Sequence, residues 1–158
     1  PGEKIDYQKM IKNLSDLKNK AHDEFLINDI KDSITNCEIE MANKEFEEVK
    51  ELLKNKEFGI VLDKMDKLLK EMTDSENFQD TAENYIEILE NIIGIKIEEG
   101  NKKISELEIF ENFLNKNKYK LDNYKFYKEK LKALKKNKIS IKQEMDVIEM
   151  GEYFFNIQ

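Results

Sequence analysis

The chain has 158 residues, of which 39% are hydrophobic and 39% charged, and its formal net charge is −7. With this balance, every helix or strand must have one solvent-exposed face, which disfavours fully buried parallel strands. The longest apolar runs are far shorter than the roughly 20 residues that a membrane span needs. One proline and five glycines leave few helix breakers, so the composition predicts helix throughout.

Apolar residues in the first half recur at alternating steps of three and four, which is typical of helices that face a core. The predicted helices follow the stripes Tyr7–Ala21, Ile27–Leu53 and Val61–Met72. The second stripe shifts its phase near its end, which is compatible with one bent helix or with three short ones. Asn55 is predicted to end it in the left-handed conformation.

Capping signals mark the helices of the second half. Residues 73–76 offer several N-cap oxygens, with Thr73 and Glu76 at capping-box spacing. Gly100 is predicted to end the helix that they begin, and Ser140 with Gln143 is predicted to cap the last helix. The stripes are Phe78–Ile92, Leu107–Leu114, Leu121–Leu134 and Met145–Phe155. Because the joints are short, neighbouring helices should pack antiparallel. We therefore predict one all-α domain over residues 1–158, built from antiparallel helical hairpins that form a bundle or a short helical-repeat stack of about seven helices.

The start of the sequence leaves the compartment open. Pro1 and Gly2 resemble the residues that a cleaved tag leaves behind, so a native signal peptide or anchor can have been removed. We expect a cytoplasmic protein, with secretion or surface anchoring as the alternative. All 27 basic residues are lysines, which suggests a low-GC genome and excludes bidentate guanidinium recognition of phosphate or carboxylate.

Residue types that carry catalysis are sparse. Nucleophilic catalysis by Cys37 needs a base, and the only histidine, His22, stands fifteen residues away without a local signature. We interpret Cys37 as a small buried hydrophobe. The residues of a di-iron bundle, an EF-hand or a glycine-rich phosphate loop are missing. The sequence therefore predicts a protein that is not an enzyme, with no catalytic residue, no metal site and no cofactor.

Charge is distributed unevenly along the chain. Residues 21–52 contain ten acidic side chains and three lysines, and residues 71–99 contain nine acidic side chains and one lysine. Residues 115–138, which we call the lysine-rich hairpin, instead carry ten lysines against two acidic residues, a net charge of +8. The residues predicted to bind a partner are Lys116, Lys118, Lys120, Tyr124, Lys125 and Lys128.

Lysines interleaved with aromatic residues, as in this hairpin, can neutralise phosphates and stack on single-stranded bases. However, aromatic residues at helix spacing are needed for packing, and an acidic protein repels polyanions at long range. We therefore expect a protein or peptide partner rather than nucleic acid, and no membrane span. The main hypothesis is a non-enzymatic protein–protein interaction module, a scaffold or regulator with an acidic surface and one lysine-rich hairpin. Homo-oligomerisation is left open.

Two segments resemble the turn and second helix of a tetratricopeptide repeat. The first is Leu52–Phe58 followed by Val61, Met65 and Leu68, and Phe113–Tyr119 echoes its turn 61 residues later. The family's small alanines are replaced at Val61 and Leu68, and no copy stands at the family period of about 34 residues. The resemblance implies a peptide-binding regulatory domain with a concave binding face. A third hypothesis is a secreted or surface helical protein of a low-GC microbe that binds host factors.

Overall fold

The computed structural model describes residues 4–138, and every regular element in this range is a helix. Its six helices are α1 (Tyr7–Lys20), α2 (Glu24–Lys54), α3 (Phe58–Glu71), α4 (Ser75–Glu98), α5 (Ser105–Lys116) and α6 (residues 124–138). The all-α class is confirmed, and the predicted count of about seven helices is corrected to six for residues 4–138. The last predicted helix, capped by Ser140 and carrying Met145–Phe155, lies outside the described residues. No helix between residues 4 and 138 is long and apolar enough to cross a membrane.

The chain divides into two compact units between Glu83 and Asn84. In the first unit, α1 packs on α2 and α2 packs on α3. Each unit buries its own apolar stripes: the first unit buries Ile34, Val49, Met65 and Leu68, and the second buries Ile86, Leu89, Ile93, Phe110 and Leu114. The periodicity of the sequence thus identified the core positions. The prediction of a single domain over residues 1–158 stays a prediction.

The second predicted stripe is one continuous helix, because α2 runs over 31 residues without interruption. It ends one residue later than predicted. Asn55 has a φ of −85°, and the left-handed residue is Lys56, with a φ of 57°. The Lys56 N–H donates to the Leu53 carbonyl and the Glu57 N–H donates to the Leu52 carbonyl, the bond pattern of a Schellman motif.

The start of α4 uses one of the N-cap oxygens that residues 73–76 offer, although not the one at capping-box spacing. Asp74, not Thr73, caps this helix, since its carboxylate accepts a hydrogen bond from the Asn77 N–H at 3.0 Å. Thr73 is used elsewhere: its N–H and its hydroxyl both donate to Oε2 of Glu38, at 3.0 and 2.6 Å. Oε1 of Glu38 accepts from the Asp74 N–H and from the Asn77 side-chain amide, both at 3.1 Å. Glu38 is fully buried, so a carboxylate on α2 holds the α3–α4 joint in place.

The stripe on α1 is the exception to the burial pattern. No residue of α1 is buried, and Met10 and Leu17 remain 42% and 57% exposed.

The helix α4 ends as predicted at Gly100, whose φ is 75°. The Asn101 N–H donates to the Lys96 carbonyl across this glycine at 3.0 Å.

Candidate functional site

The lysine-rich hairpin is formed by the end of α5, the turn over residues 117–123, and α6. Lys135 on α6 forms an ion pair with Glu111 on α5, so α6 folds back against α5 after the turn. Phe110, Leu114, Tyr127 and Leu131 are buried. Apolar packing therefore fixes the two helices and leaves the turn on the surface.

The structure places the six predicted partner-binding residues around this turn. Lys116, Lys118, Lys120, Lys125 and Lys128 are exposed, whereas Tyr124 is half-buried. The Lys118 ammonium lies 5.6 Å from the centre of the Tyr119 ring, and the Lys128 ammonium lies 5.9 Å from that of Tyr124. Within residues 4–138, no hydrogen bond or ion pair is formed by the side chains of Lys116 and Lys125.

Two aromatic residues that the predicted set omitted are more exposed than Tyr124. Tyr119 is 97% exposed and Phe126 is 58% exposed. Packing accounts for Tyr127, which is 5% exposed, but not for these two. The sequence contained a signal for both, because Tyr119 falls in the turn, off any stripe, and Phe126 stands next to a stripe residue and so points about 100° away from it.

Three lysines of α6 are held in ion pairs. Lys130 lies 3.2 Å from Glu90 on α4, Lys132 lies 3.4 Å from Glu129, and Lys135 pairs with Glu111. These three lysines all come after the first turn of α6. The lysines on the turn and at the start of α6 therefore form the part of the hairpin that can bind carboxylates, next to aromatic surface that can bury apolar groups.

A separate cleft of about 310 Å³ lies in the first unit, lined by residues of α1, α2 and α3. Lys64 donates a hydrogen bond to Glu48 at 3.1 Å, which lowers the pKa of that carboxyl, and lies 3.6 Å from Oε2 of Glu45. Burial and the nearby charge of Glu45 raise the pKa of Glu71, which accepts a hydrogen bond of 2.6 Å from the Gln8 amide. Four carboxylates and three lysines line the cleft, so its charges largely offset one another.

The two residues considered for nucleophilic catalysis are far apart. His22 is exposed in the turn before α2, and Cys37 is buried along α2, about 20 Å further along the helix axis at 1.5 Å per residue. Burial, followed by the charges of Glu40 and Glu38, raises the pKa of the Cys37 thiol. Cys37 is thus a buried, protonated thiol, as interpreted from the sequence. Among residues 4–138, no three His, Cys, Asp or Glu side chains are grouped as a metal site.

Comparison with protein-family models, with curated proteins and with solved structures finds no significant match to this chain.

Proposed function

We propose that this protein is a non-enzymatic helical interaction module whose lysine-rich hairpin binds an acidic segment of another protein. One observation carries the proposal: exposed lysines share the turn with Tyr119 and Phe126, which are 97% and 58% exposed. Burying such rings recovers about 25 cal/mol per Å² of apolar area. A partner that offers carboxylates next to apolar side chains satisfies both parts of this surface.

The chemistry of the hairpin favours a protein partner over nucleic acid. The chain contains no arginine and has a formal net charge of −7. Lysine is a point charge that suits single carboxylates, and it lacks the planar fork with which arginine grips phosphate. The rest of the chain is negatively charged, so it repels those parts of a long polyanion that extend past the hairpin. A short acidic peptide segment avoids most of that repulsion.

The peptide-binding hypothesis of tetratricopeptide type has less support. The segment Leu52–Phe58 does form the joint between α2 and α3, but α2 alone spans 31 residues. A tetratricopeptide repeat divides a period of about 34 residues between two helices. The hypothesis of host-factor binding stays a prediction without separate support in the described residues.

A hairpin-reversed variant tests the proposed function. It carries Lys118→Glu, Lys125→Glu and Lys128→Glu, whose side chains are exposed and make no ion pair with any residue between 4 and 138. The probe is a fluorescent helical peptide with glutamates and phenylalanines on one face, and the measurement is fluorescence anisotropy. Because each exposed pair is worth about 0.5 kcal/mol, we expect the variant to weaken binding by about tenfold or more.

Three comparisons control this experiment. A variant with Lys9→Glu, Lys12→Glu and Lys103→Glu changes the net charge equally at other exposed positions and should bind the peptide almost as the natural chain does. The same peptide with glutamine for glutamate should bind weakly. Equal losses in the two lysine variants would overturn the proposal, because they would show that overall charge alone governs binding. An oligothymidine that binds the hairpin more tightly than the acidic peptide would replace it with nucleic-acid recognition.

A further inference from the structure

The half of α2 that faces away from the core carries a second stripe of its own. The buried stripe contains Ile30, Ile34, Cys37 and Met41. About 180° around the helix, at steps of three and four residues, lies a set that we call the outer face of α2. Its members are Phe25, Asp29, Asp32, Asn36, Ile39 and Glu40, all of them exposed.

This outer face combines negative charge with apolar surface. Phe25 is 83% exposed and Ile39 is 43% exposed. Asp29, Asp32 and Glu40 form no hydrogen bond or ion pair with any residue between 4 and 138. By contrast, two acidic residues near the end of the same helix form ion pairs: Lys50 lies 3.5 Å from Glu47, and Lys54 lies 3.3 Å from Glu51. The outer face therefore leaves both carboxylates and apolar groups without a partner.

We infer that the partner of the lysine-rich hairpin is the outer face of α2 on a second copy of this chain. This inference rests on the proposed function, and it names the acidic segment. The two surfaces are complementary in kind: lysines beside Tyr119 and Phe126 on one copy face carboxylates beside Phe25 and Ile39 on the other. Opposite charges meet at this contact, and exposed apolar side chains on both copies are removed from water together.

Each copy carries a net charge of −7, so two copies repel each other as whole molecules, while opposite charges attract at the contact. The distance over which each force acts decides which of them prevails. At about 0.1 M salt the Debye length is about 10 Å, so repulsion across whole molecules is screened while pairs at about 4 Å persist. The contact joins two different surfaces, which makes it heterologous. A pair joined by one such contact has a second hairpin and a second outer face, which can close the pair on itself or add a further copy.

Charge exchange between two variants provides the test. The hairpin-reversed variant defined above is compared with an outer-face variant that carries Asp29→Lys, Asp32→Lys and Glu40→Lys. Sedimentation velocity measures association across protein concentration at about 0.1 M salt and again at about 1 M, where the Debye length is about 3 Å. Circular dichroism checks that both variants keep the helix content of the natural chain.

We expect the natural chain to associate beyond the monomer mass, and to do so less at the higher salt concentration. Each variant alone should weaken this association by about tenfold or more, because it faces like charge with like charge. An equimolar mixture of the two should restore it, since each variant then meets its opposite on the other. Reversal of Asp16, Glu87 and Glu98 to lysine, at exposed positions elsewhere, leaves both surfaces intact and should not weaken the association.

Two outcomes would overturn the inference. One is a natural chain that stays monomeric at every concentration. The other is a mixture of variants that associates no better than either variant alone. The acidic-peptide experiment separates these failures from a failure of the proposed function: a hairpin that binds the peptide but not a second copy has a different acidic protein as its partner.

Discussion

Single buried side chains hold the joints between the helices, and Glu38 is the clearest case. Its carboxylate accepts four hydrogen bonds, two at each oxygen, from Thr73, Asp74 and Asn77. All four partners are donors, and no positively charged group is among them. This buried site therefore suits a side chain that only accepts hydrogen bonds. A replacement side chain with its own N–H or O–H groups would place a donor against these donors.

We expect Glu38→Gln to destabilise the fold by about 3 kcal/mol, although the two side chains have nearly the same shape. The amide N–H₂ group would face the Asp74 N–H and the Asn77 amide in one orientation, or the Thr73 N–H and hydroxyl in the other, where only the hydroxyl can turn to accept. Urea denaturation measures the loss. Glu40→Gln, at an exposed position on the same helix, is the control and should change stability by less than about 0.5 kcal/mol. A well-tolerated Glu38→Gln would contradict this account of the four hydrogen bonds.

Glu71 makes the stability of the first unit depend on pH. Burial, assisted by Glu45, raises the pKa of Glu71 in the folded state, so the native chain binds a proton that the unfolded chain releases. The resulting destabilisation is fully present above the raised folded pKa and disappears as pH falls to the unfolded value. Glu71→Gln should therefore raise the melting temperature near pH 8 and leave it unchanged near about pH 4. A difference that is equal at both pH values would contradict this assignment.

At the scale of helices, the ends are set by backbone conformation. Gly100 ends α4 with a φ of 75°, a region that side chains with a Cβ enter only at a cost of about 1 kcal/mol. Lys56 adopts a similar conformation after α2 in spite of this cost. The end of α2 thus does not follow the local preference of Asn55 for the left-handed conformation.

We expect Gly100→Ala to destabilise the protein by about 1 kcal/mol, because alanine resists the left-handed conformation. Gly94 provides a matched control on the same helix. It lies inside α4, and an added Cβ would meet no atom within 4 Å, so Gly94→Ala should stabilise the protein by about 0.5–1 kcal/mol. Thermal unfolding measures both. The same sign for the two substitutions would refute the assignment of Gly100 as the cap.

Across the whole molecule, burial is distributed unevenly among the helices. No residue of α1 is buried, whereas α3, of equal length, buries Val61, Leu62, Met65, Leu68 and Leu69. Local opening costs least where few apolar contacts are lost. The apolar stripe of α1 therefore forms a helix without supplying much of the stability of the unit that contains it.

Hydrogen exchange should reveal this difference. We expect amides in the middle of α1 to exchange at least about tenfold faster than those in the middle of α3, through openings that leave α2 and α3 intact. Mass spectrometry of peptides from the two helices measures the rates. Equal protection in both helices would mean that α1 opens only together with the unit.

The sequence by itself determined the helical class, the burial of Ile34, Leu68 and Leu89, and the end of α4 at Gly100. These features depend on residues three or four apart or on one backbone conformation, which a local pattern contains. Only the tertiary structure decided that Glu38 holds Thr73, that α1 stays half-covered, and which lysines of the lysine-rich hairpin form ion pairs with α4 and α5. Each of these depends on which distant segment approaches, and contacts between distant segments outweigh local preferences of about 1 kcal/mol.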